Sequence, residues 1–477
     1  MQLNRKNFLF GSAAAAALSG CATSVGSRVP RDRPSSSGNM CNFGAPKIDN
    51  VRVGVIGLGM RGTGWVGTFS VVPGGEVTAL CDHHADRIER AQKEQLDAKG
   101  KVRSKLEFSG EEGWKALCES DEVDLVVNCT PWHLHAPIAK YAMEHGKHVA
   151  IEVPSAMTID ECWELVETSE RTGKHCMQME NCCYGEAEMM ALNLVRQGVL
   201  GEIMHAEGAY IHDLRWLCYQ DPKEDGYDNW WRLKWNMNHQ GNPYPTHGLV
   251  PVMQMMNINR GDRFDYLNCL QADQRCCDEY AAAKFGSGSK FASLHPECGD
   301  QSTTVIRTVK GKTIMVQHDV NSPHPYSRHN LVQGTKGVFR GISFPEKVED
   351  YVTDGNAVQF TWEEDPLKGG AHKYFDFTKT QEMREKYKHP IWKAAGELAK
   401  KLGGHGGMDT MLGLRLIYCL NHGLPLDQDV YDLAASCSLC ELSDWSCRHR
   451  GNSIEVPDFT RGAWKTNSPL GIVDVTI

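Results

Sequence analysis

What this sequence lacks narrows its function before any motif is considered. It has no block of basic residues and no basic stripe interleaved with aromatics, and its formal net charge is −9. Nucleic acid is therefore not expected as a partner. No internal repeat is present, which sets aside a repeat architecture. Long apolar runs are missing as well. The one near the start ends at Ala17, too short to span a bilayer as a stable helix. The pair Cys437-Ser-Leu-Cys440 has no second Cys-x-x-Cys nearby, so neither structural zinc nor any other metal is expected.

Cysteine itself is plentiful, with 18 residues, but even spacing is absent. Cys182-Cys183 and Cys276-Cys277 are adjacent, and Cys81, Cys129 and Cys176 fall in apolar runs, where a thiol acts as a small buried hydrophobe. Free thiols sit oddly with the N-terminus, which reads as an export signal over residues 1–21. Arg5-Lys-Asn-Phe-Leu9 precedes a small apolar run, and Leu18-Ser-Gly-Cys21 resembles a bacterial lipobox. The basic pair resembles a twin-arginine signal with Lys6 as its second member. An ordinary secretory signal with a chance cysteine is the alternative. The expectation is an exported lipoprotein of the bacterial cell envelope, held to the membrane through lipid at Cys21. Folding in the cytoplasm before export would reconcile the free thiols with a captured cofactor. Residues 22–48, rich in Ser, Pro, Gly and Arg, read as a flexible tether. The remaining ~430 residues suggest two domains.

The first of these announces itself. Val51-Arg-Val-Gly-Val-Ile56 is β-rich and runs into Gly57-Leu-Gly59-Met60-Arg61-Gly62, with Trp65, Val66 and Phe69 following at helical spacing. Strand, glycine turn and helix in that order form a dinucleotide-binding unit. Gly57 makes the turn, Gly59 admits the pyrophosphate, and Gly62 lets helix pack on strand. The helix start supplies amide donors to phosphate. The next strand, Glu76–Cys81, ends at Asp82, twenty residues after Gly62. A carboxylate there accepts from ribose hydroxyls and repels a 2′-phosphate, so NAD is expected over NADP, a preference that Arg61 and Arg87 moderate. Alternation continues. Val123–Asn128, His148–Ile151 and Lys174–Met179 read as strands, Pro137–His145 and Asp160–Thr172 as helices. An NAD-binding domain over 49–182 and a substrate domain over 183–477 follow. In the second, Gly185–Gln197 reads as a helix, strands run from about 203 to 360, and Ile391–His422 is helical and packs back on the first domain. Gly403-Gly-His-Gly-Gly407 reads as a loop at the pocket mouth.

Ligand-facing residues belong at the carboxyl ends of the parallel strands. Those ends carry Thr130-Pro-Trp132-His133-Leu134-His135, Glu152-Val153-Pro154 and Glu180-Asn181. Thr-Pro-x-x-x-His and Glu-x-Pro resemble the Gfo/Idh/MocA oxidoreductases, which join a Rossmann domain to an α+β domain with a large open, mostly antiparallel sheet. Most members have Glu-Lys-Pro, where lysine assists hydride transfer; Val153 stands in its place here. The closer resemblance is to the NAD-dependent α-N-acetylgalactosaminidases of glycoside hydrolase family 109. It rests on Glu152-Val-Pro154, Glu180-Asn-Cys-Cys-Tyr184, Gly208-Ala-Tyr-Ile-His212, Trp230-Trp-Arg232 and Tyr244-Pro-Thr-His-Gly248.

That resemblance implies cleavage of terminal α-linked N-acetylgalactosamine from a glycan through transient oxidation at C3, elimination at C1, addition of water and re-reduction, on one tightly held NAD. Gly57, Gly59, Met60, Arg61, Gly62, Asp82, Trp132, His133, Leu134, His135, Glu152, Val153 and Asn181 are the expected cofactor contacts. Tyr210, Arg232, Tyr244, Pro245, Thr246, His247 and Tyr326 are the expected sugar contacts. A neutral imidazole suits the base at the 3-hydroxyl, and His247 takes that part. The C2 proton needs a second base, Tyr210 or Tyr244, although Tyr210 is equally read as an orienting hydroxyl. Glu180 is expected to face the sugar or nicotinamide, or to pair with a pocket arginine. Trp230 and Trp231 read as a sugar platform or as core, and His133 and His135 as cofactor contacts or helix caps. His212-Asp213 falls one ligand short of a metal site. Homodimers are common in such proteins through the open sheet. A net sugar dehydrogenase and a non-catalytic carbohydrate-binding lipoprotein are the competing functions.

Overall fold

The computed structural model describes residues 32–33, 38–99, 104–220, 230–343, 356–363 and 373–471. The expected export signal and Cys21 lie outside them. The first sheet comprises β1 (Val51–Ile56), β2 (Gly75–Asp82), β3 (Leu106–Ser109), β4 (Leu125–Asn128), β5 (His148–Ile151) and β6 (Cys176–Gln178). All are parallel, in the order β3-β2-β1-β4-β5-β6 of a Rossmann sheet. Helices cover both faces, so the central strands are apolar without alternation: β4 and β5 are buried at every position. The helix Met60–Val71 buries Trp65, Val66 and Phe69 against the sheet, and a fully buried phenylalanine contributes about 1.5–3 kcal/mol. Ile159–Thr172 starts in a Thr158–Glu161 capping box and stops at left-handed Gly173, which is why that helix has sharp ends.

After β6 the chain turns through Asn181–Tyr184 into the helix Glu186–Arg196 and enters a second, larger sheet. Its strands are β7 (Ile203–Ile211), β8 (Phe264–Gln271), β9 (Ser302–Thr308), β10 (Thr313–Asp319), β11 (Leu331–Gly334), β12 (Gly337–Ser343), β13 (Asn356–Trp362) and β14 (Ile454–Glu455), in the order β13-β12-β11-β7-β10-β9-β8-β14. Only β7 and β10 pair in parallel. One face packs on the helices Thr246–Met255 and Val430–Arg448. The opposite face leaves Tyr266, Leu270 and Val305 exposed.

Two features of this packing place the site. Gly208 on β7 and Gly248 in the helix Thr246–Met255 touch backbone to backbone, and a Cβ on Gly208 would lie 2.1 Å from the Gly248 carbonyl oxygen. Strand and helix therefore approach closely enough for Tyr210 and His247 to meet. The helix Met408–His422 returns to the Rossmann domain, where Gly413 sits against Thr68 and Phe69 of the helix Met60–Val71 and against Val72 just beyond it. The expected tether needs correction in its second part. Met40 is buried, its amide donates to the Tyr431 hydroxyl at 3.0 Å, and the Ile48 amide donates to the Leu420 carbonyl at 3.1 Å. Apolar residues among the Ser, Pro and Gly fasten this stretch to the second domain.

Candidate active site

The cofactor cleft is built mainly from backbone. Gly57 has φ +85°, and a Cβ there would lie 2.8 Å from the backbone of Cys129 and Thr130. A Cβ on Gly62 would stand 1.8 Å from the Gly57 carbonyl oxygen, so only glycine lets the helix start under the turn. Gly59 has nothing within 4 Å of such a Cβ and faces open space. A cavity of about 850 Å³ opens there, running from Gly57, Gly59, Met60 and Arg61 past Asp82 and His83 to Trp114, with His133 and Leu134 along its edge. That volume is of ligand-pocket size, and turn, helix start and acid are the donor and acceptor set that a dinucleotide requires. Asp82 accepts from the amides of Leu58 at 2.7 Å and His84 at 2.9 Å, which fix its carboxylate at the end of β2.

Several expected cofactor contacts have other employment. Arg61 binds Glu152 at 2.9 Å and Asp409 at 2.9 Å, which occupies the guanidinium that would otherwise have welcomed a 2′-phosphate. Glu152 also accepts from the Trp65 indole at 2.5 Å. His135 is 1% exposed, its ring nitrogens each 2.7 Å from a carbonyl oxygen, those of Thr130 and Pro154. It ties the loops after β4 and β5 together and does not line the cavity. Asn181 is buried and donates to Asp409 at 2.6 Å. Val153 and Trp132 are buried in a cluster with Tyr210 and Tyr244, on the sugar side.

The glycine run, expected at the pocket mouth, reaches the cavity-lining Arg61 through His405. His405 there is 54% exposed in its side chain, and its Nδ1 is 2.8 Å from Asp409 and 3.3 Å from Arg61. Asp409 thus joins the pyrophosphate turn, the turn after β6 and the glycine loop. No sequence motif marked it; its position two residues beyond the glycine run was the available signal.

The other side of the site is built from side chains. His247 Nδ1 lies 2.7 Å from Glu180 Oε1. Glu180 is 0% exposed and also accepts from the Cys182 amide at 3.0 Å. Burial alone would raise its carboxyl, but His247 and the Cys182 amide outweigh burial and hold it below the ordinary range. A carboxylate only accepts, so the imidazole proton sits on Nδ1 and leaves Nε2 basic. That nitrogen is 3.5 Å from the Tyr244 hydroxyl. Glu180 therefore pairs with His247, which it orients, and not with an arginine.

The Tyr210 ring stacks on Tyr244 with centroids 4.4 Å apart, and His247 stands edge-on to both at 4.9 and 5.0 Å. Burial, aided by the neighbouring Tyr210, pushes the Tyr244 phenol well above its usual range, which disfavours Tyr244 as a phenolate base. Arg232 is buried with its guanidinium 4.7 Å over the Trp132 ring and 5.3 Å from those of Trp231 and Tyr244. Tyr326 stands edge-on to His212 at 5.1 Å, and its hydroxyl accepts from Arg328, which Glu188 holds at 2.7 Å. Pro245 and Thr246 are buried at the start of their helix, next to Tyr244 and His247 in the chain.

Trp230 takes the core alternative. Its indole donates to the Gln220 carbonyl and its ring meets Phe291 in a satellite core. The His212-Asp213 pair is split, since Asp213 binds Arg215 at 2.7 Å. Sequence reasoning passed over His318, which pairs in register with Tyr210 across β10 and β7. Burial, reinforced by nearby charge, lowers His212 to about 4 and His318 to about 3, so both imidazoles stay neutral beside the tyrosines. A histidine at an inward position of an apolar strand was the signal that could have pointed to His318.

Comparison with known proteins places this geometry. Residues 51–180 match the oxidoreductase family with an NAD-binding Rossmann fold, and residues 184–466 match the C-terminal domain of glycosyl hydrolase 109. A glycosyl hydrolase family 109 protein of Shewanella amazonensis is 45% identical over 476 residues, covering 99% of both chains. The chain belongs to glycosyl hydrolase family 109. Another relative, from Shewanella oneidensis and named alpha-N-acetylgalactosaminidase, is 43% identical over 474 residues, again covering 99% of each chain. Among solved structures, levoglucosan dehydrogenase in complex with NADH and levoglucosan superposes with a TM-score of 0.59. That likeness covers 86% of this chain and all of the other at 17% identity, and it shows that this family 109 protein has the two-domain oxidoreductase fold. The family 109 chain is thus a glycoside hydrolase with an NAD-binding Rossmann domain.

Proposed function

We infer that this family 109 protein removes terminal α-linked N-acetylgalactosamine from glycans through a redox-neutral cycle. The observation that carries this reading is the buried Glu180–His247 dyad at 2.7 Å beside the stacked Tyr210–Tyr244 pair. When bound, NAD accepts hydride from C3 of the sugar and returns it at the end of each turnover. His247 Nε2 takes the proton of the 3-hydroxyl, and Glu180 stabilises the imidazolium that results. A C3 ketone acidifies the C2 proton. Tyr210, stacked on Tyr244 and edge-on to His247, is assigned as the base that removes it. The C1 substituent then leaves by elimination and water adds. NAD-dependent glycosidases are exceptions to the two-carboxylate scheme, and the site needs no carboxylate pair flanking the scissile bond. Arg232 in its aromatic box and Tyr326 orient the sugar. The family 109 relative named alpha-N-acetylgalactosaminidase supports the choice of sugar, and Val153 in place of lysine weighs against a net dehydrogenase.

Hydrolysis of an aryl α-N-acetylgalactosaminide in heavy water, without added cofactor, tests the cycle. Aryl alcohol release with deuterium at C2 and no net NADH is expected. NADH accumulating from NAD and free sugar, with no aryl release, would make the protein a dehydrogenase. The exposed face of the second sheet, with Tyr266, Leu270 and Val305, is proposed as a homodimer surface, and Cys21 as the lipid anchor of an exported envelope protein. Sedimentation and radiolabelled palmitate incorporation check these two points.

A further inference from the structure

A Rossmann domain covers a dinucleotide from one side only, and an NAD retained through repeated turnovers needs a second wall. We propose that one face of the helix Trp231–Asn236, continued by the turn after it, is that wall, with Lys234 balancing the pyrophosphate charge and a stacked Trp235–His239 plate shielding the dinucleotide. The inference rests on the NAD reading above and adds residues that lie outside the nucleotide motif.

Residues 231, 234, 235, 238 and 239 fall at helical spacing on one face, and all five line the same 850 Å³ cavity as the glycine turn. The face is seated on the Rossmann domain itself. Trp231 and Trp235 both meet the Trp132 ring edge-on, with centroids 4.8 and 6.0 Å apart, on the loop that follows β4. The rings of Trp235 and His239 are parallel within 3° at 3.8 Å, and His239 Nδ1 lies 2.9 Å from the Trp235 carbonyl oxygen. Both rings are thereby fixed before any ligand arrives, so little side-chain entropy is lost on binding.

The charge balance points the same way. A pyrophosphate brings two negative charges into a cavity with three nearby cations. Arg61 is bound to Glu152 and Asp409, and Arg87 lies 3.8 Å from Asp82. Lys234 is exposed, and among the described residues its ammonium has no carboxylate within ion-pair distance. Among the described residues lining the cavity, it is the cation without a carboxylate partner.

The test compares full-length wild type with Lys234→Glu, Lys234→Ala and Trp235→Leu, reading co-purified NAD per chain and the exchange half-time against labelled NAD at low and high salt. Lys234→Glu should exchange at least tenfold faster than wild type and retain correspondingly less NAD. Lys234→Ala should fall between the two, with a weaker salt dependence than wild type. Trp235→Leu should speed exchange without changing the salt dependence, and should reduce energy transfer from tryptophan to reduced nicotinamide. Wild-type retention and exchange in Lys234→Glu, with an unchanged melting temperature, would overturn the inference. Failure of the cofactor reading looks different: wild type itself would neither carry nor take up NAD. Asp82→Ala separates the two, because NAD loss there with full retention in Lys234→Glu confines the error to the helix.

Discussion

The two sides of this site are made of different materials. The cofactor side is a backbone turn whose glycines at 57 and 62 have no room for a side chain. The sugar side is a convergence of side chains from the turn after β6, from β7 and from the helix Thr246–Met255. A backbone site tolerates change around it but no Cβ within it. A side-chain site tolerates backbone variation but depends on pairs, and its central pair is Glu180 with His247. Damage on the sugar side should therefore stop chemistry with cofactor in place, and damage on the cofactor side should release NAD.

His247→Ala presses that separation hardest. Loss of a positioned general base costs about 10²–10⁴-fold, and turnover should fall within or beyond that range while NAD content stays at the wild-type level. Activity within a few-fold of wild type would remove His247 from its role. Glu180→Gln comes next. Glutamine offers His247 an amide that can donate as well as accept, so Nδ1–H is no longer enforced and kcat should drop about 10–100-fold, with KM nearly constant. The same variant carries a pH signature. The folded-state pKa of Glu180 is depressed, so its contribution to stability is present above the ordinary glutamate value of 4.5 and is lost as pH falls through the folded value. Wild type should lose stability below that pH more steeply than Glu180→Gln, as thermal melts across the acid range would register.

Asp82→Ala acts on the opposite side and more mildly. Removing the ribose acceptor also releases the Leu58 and His84 amides that Asp82 holds. NAD should dissociate about tenfold faster, a loss near 1.4 kcal/mol, while saturating NAD restores kcat. If kcat remained low at saturation, the division between the two sides would not hold.

The same division governs how much could be read from sequence. The glycine turn, Asp82 and five of the six parallel strands were legible because each depends on neighbours close along the chain; the short edge strand β3, half-exposed, was not. His247 was legible through a resemblance, but its partner was not. Glu180 lies 67 residues away, and the two meet because the turn after β6 packs on the helix Thr246–Met255. Arg61 shows the converse failure. Local sequence placed it at the phosphate turn, yet its guanidinium is claimed by Asp409, 348 residues further on. His135 was misread for a related reason: its two carbonyl partners belong to loops after different strands, and loop closure leaves no periodicity. Met40 and its neighbours looked like linker because composition outweighed a few anchoring apolar residues.

The smallest expected effect is that of a chelator, and it bears on what the Glu180–His247 pair is. Ligand atoms of Glu180, Cys182 and His247 lie within 4.8 Å of one another, a spacing that a cation could bridge. Two features argue for hydrogen bonding instead. Burial holds the Cys182 thiol well above its usual range and therefore protonated, whereas a metal ligand must be a thiolate. The Glu180–His247 contact is a donor–acceptor bond of 2.7 Å, and a cation between those atoms would break it. Prolonged treatment with a strong chelator should then change kcat by less than twofold and leave NAD in place. Activity lost to the chelator and restored by zinc would convert the dyad into a metal centre. His247 would then lose its free base, and the sugar side would depend on a bound ion rather than on a pair of side chains.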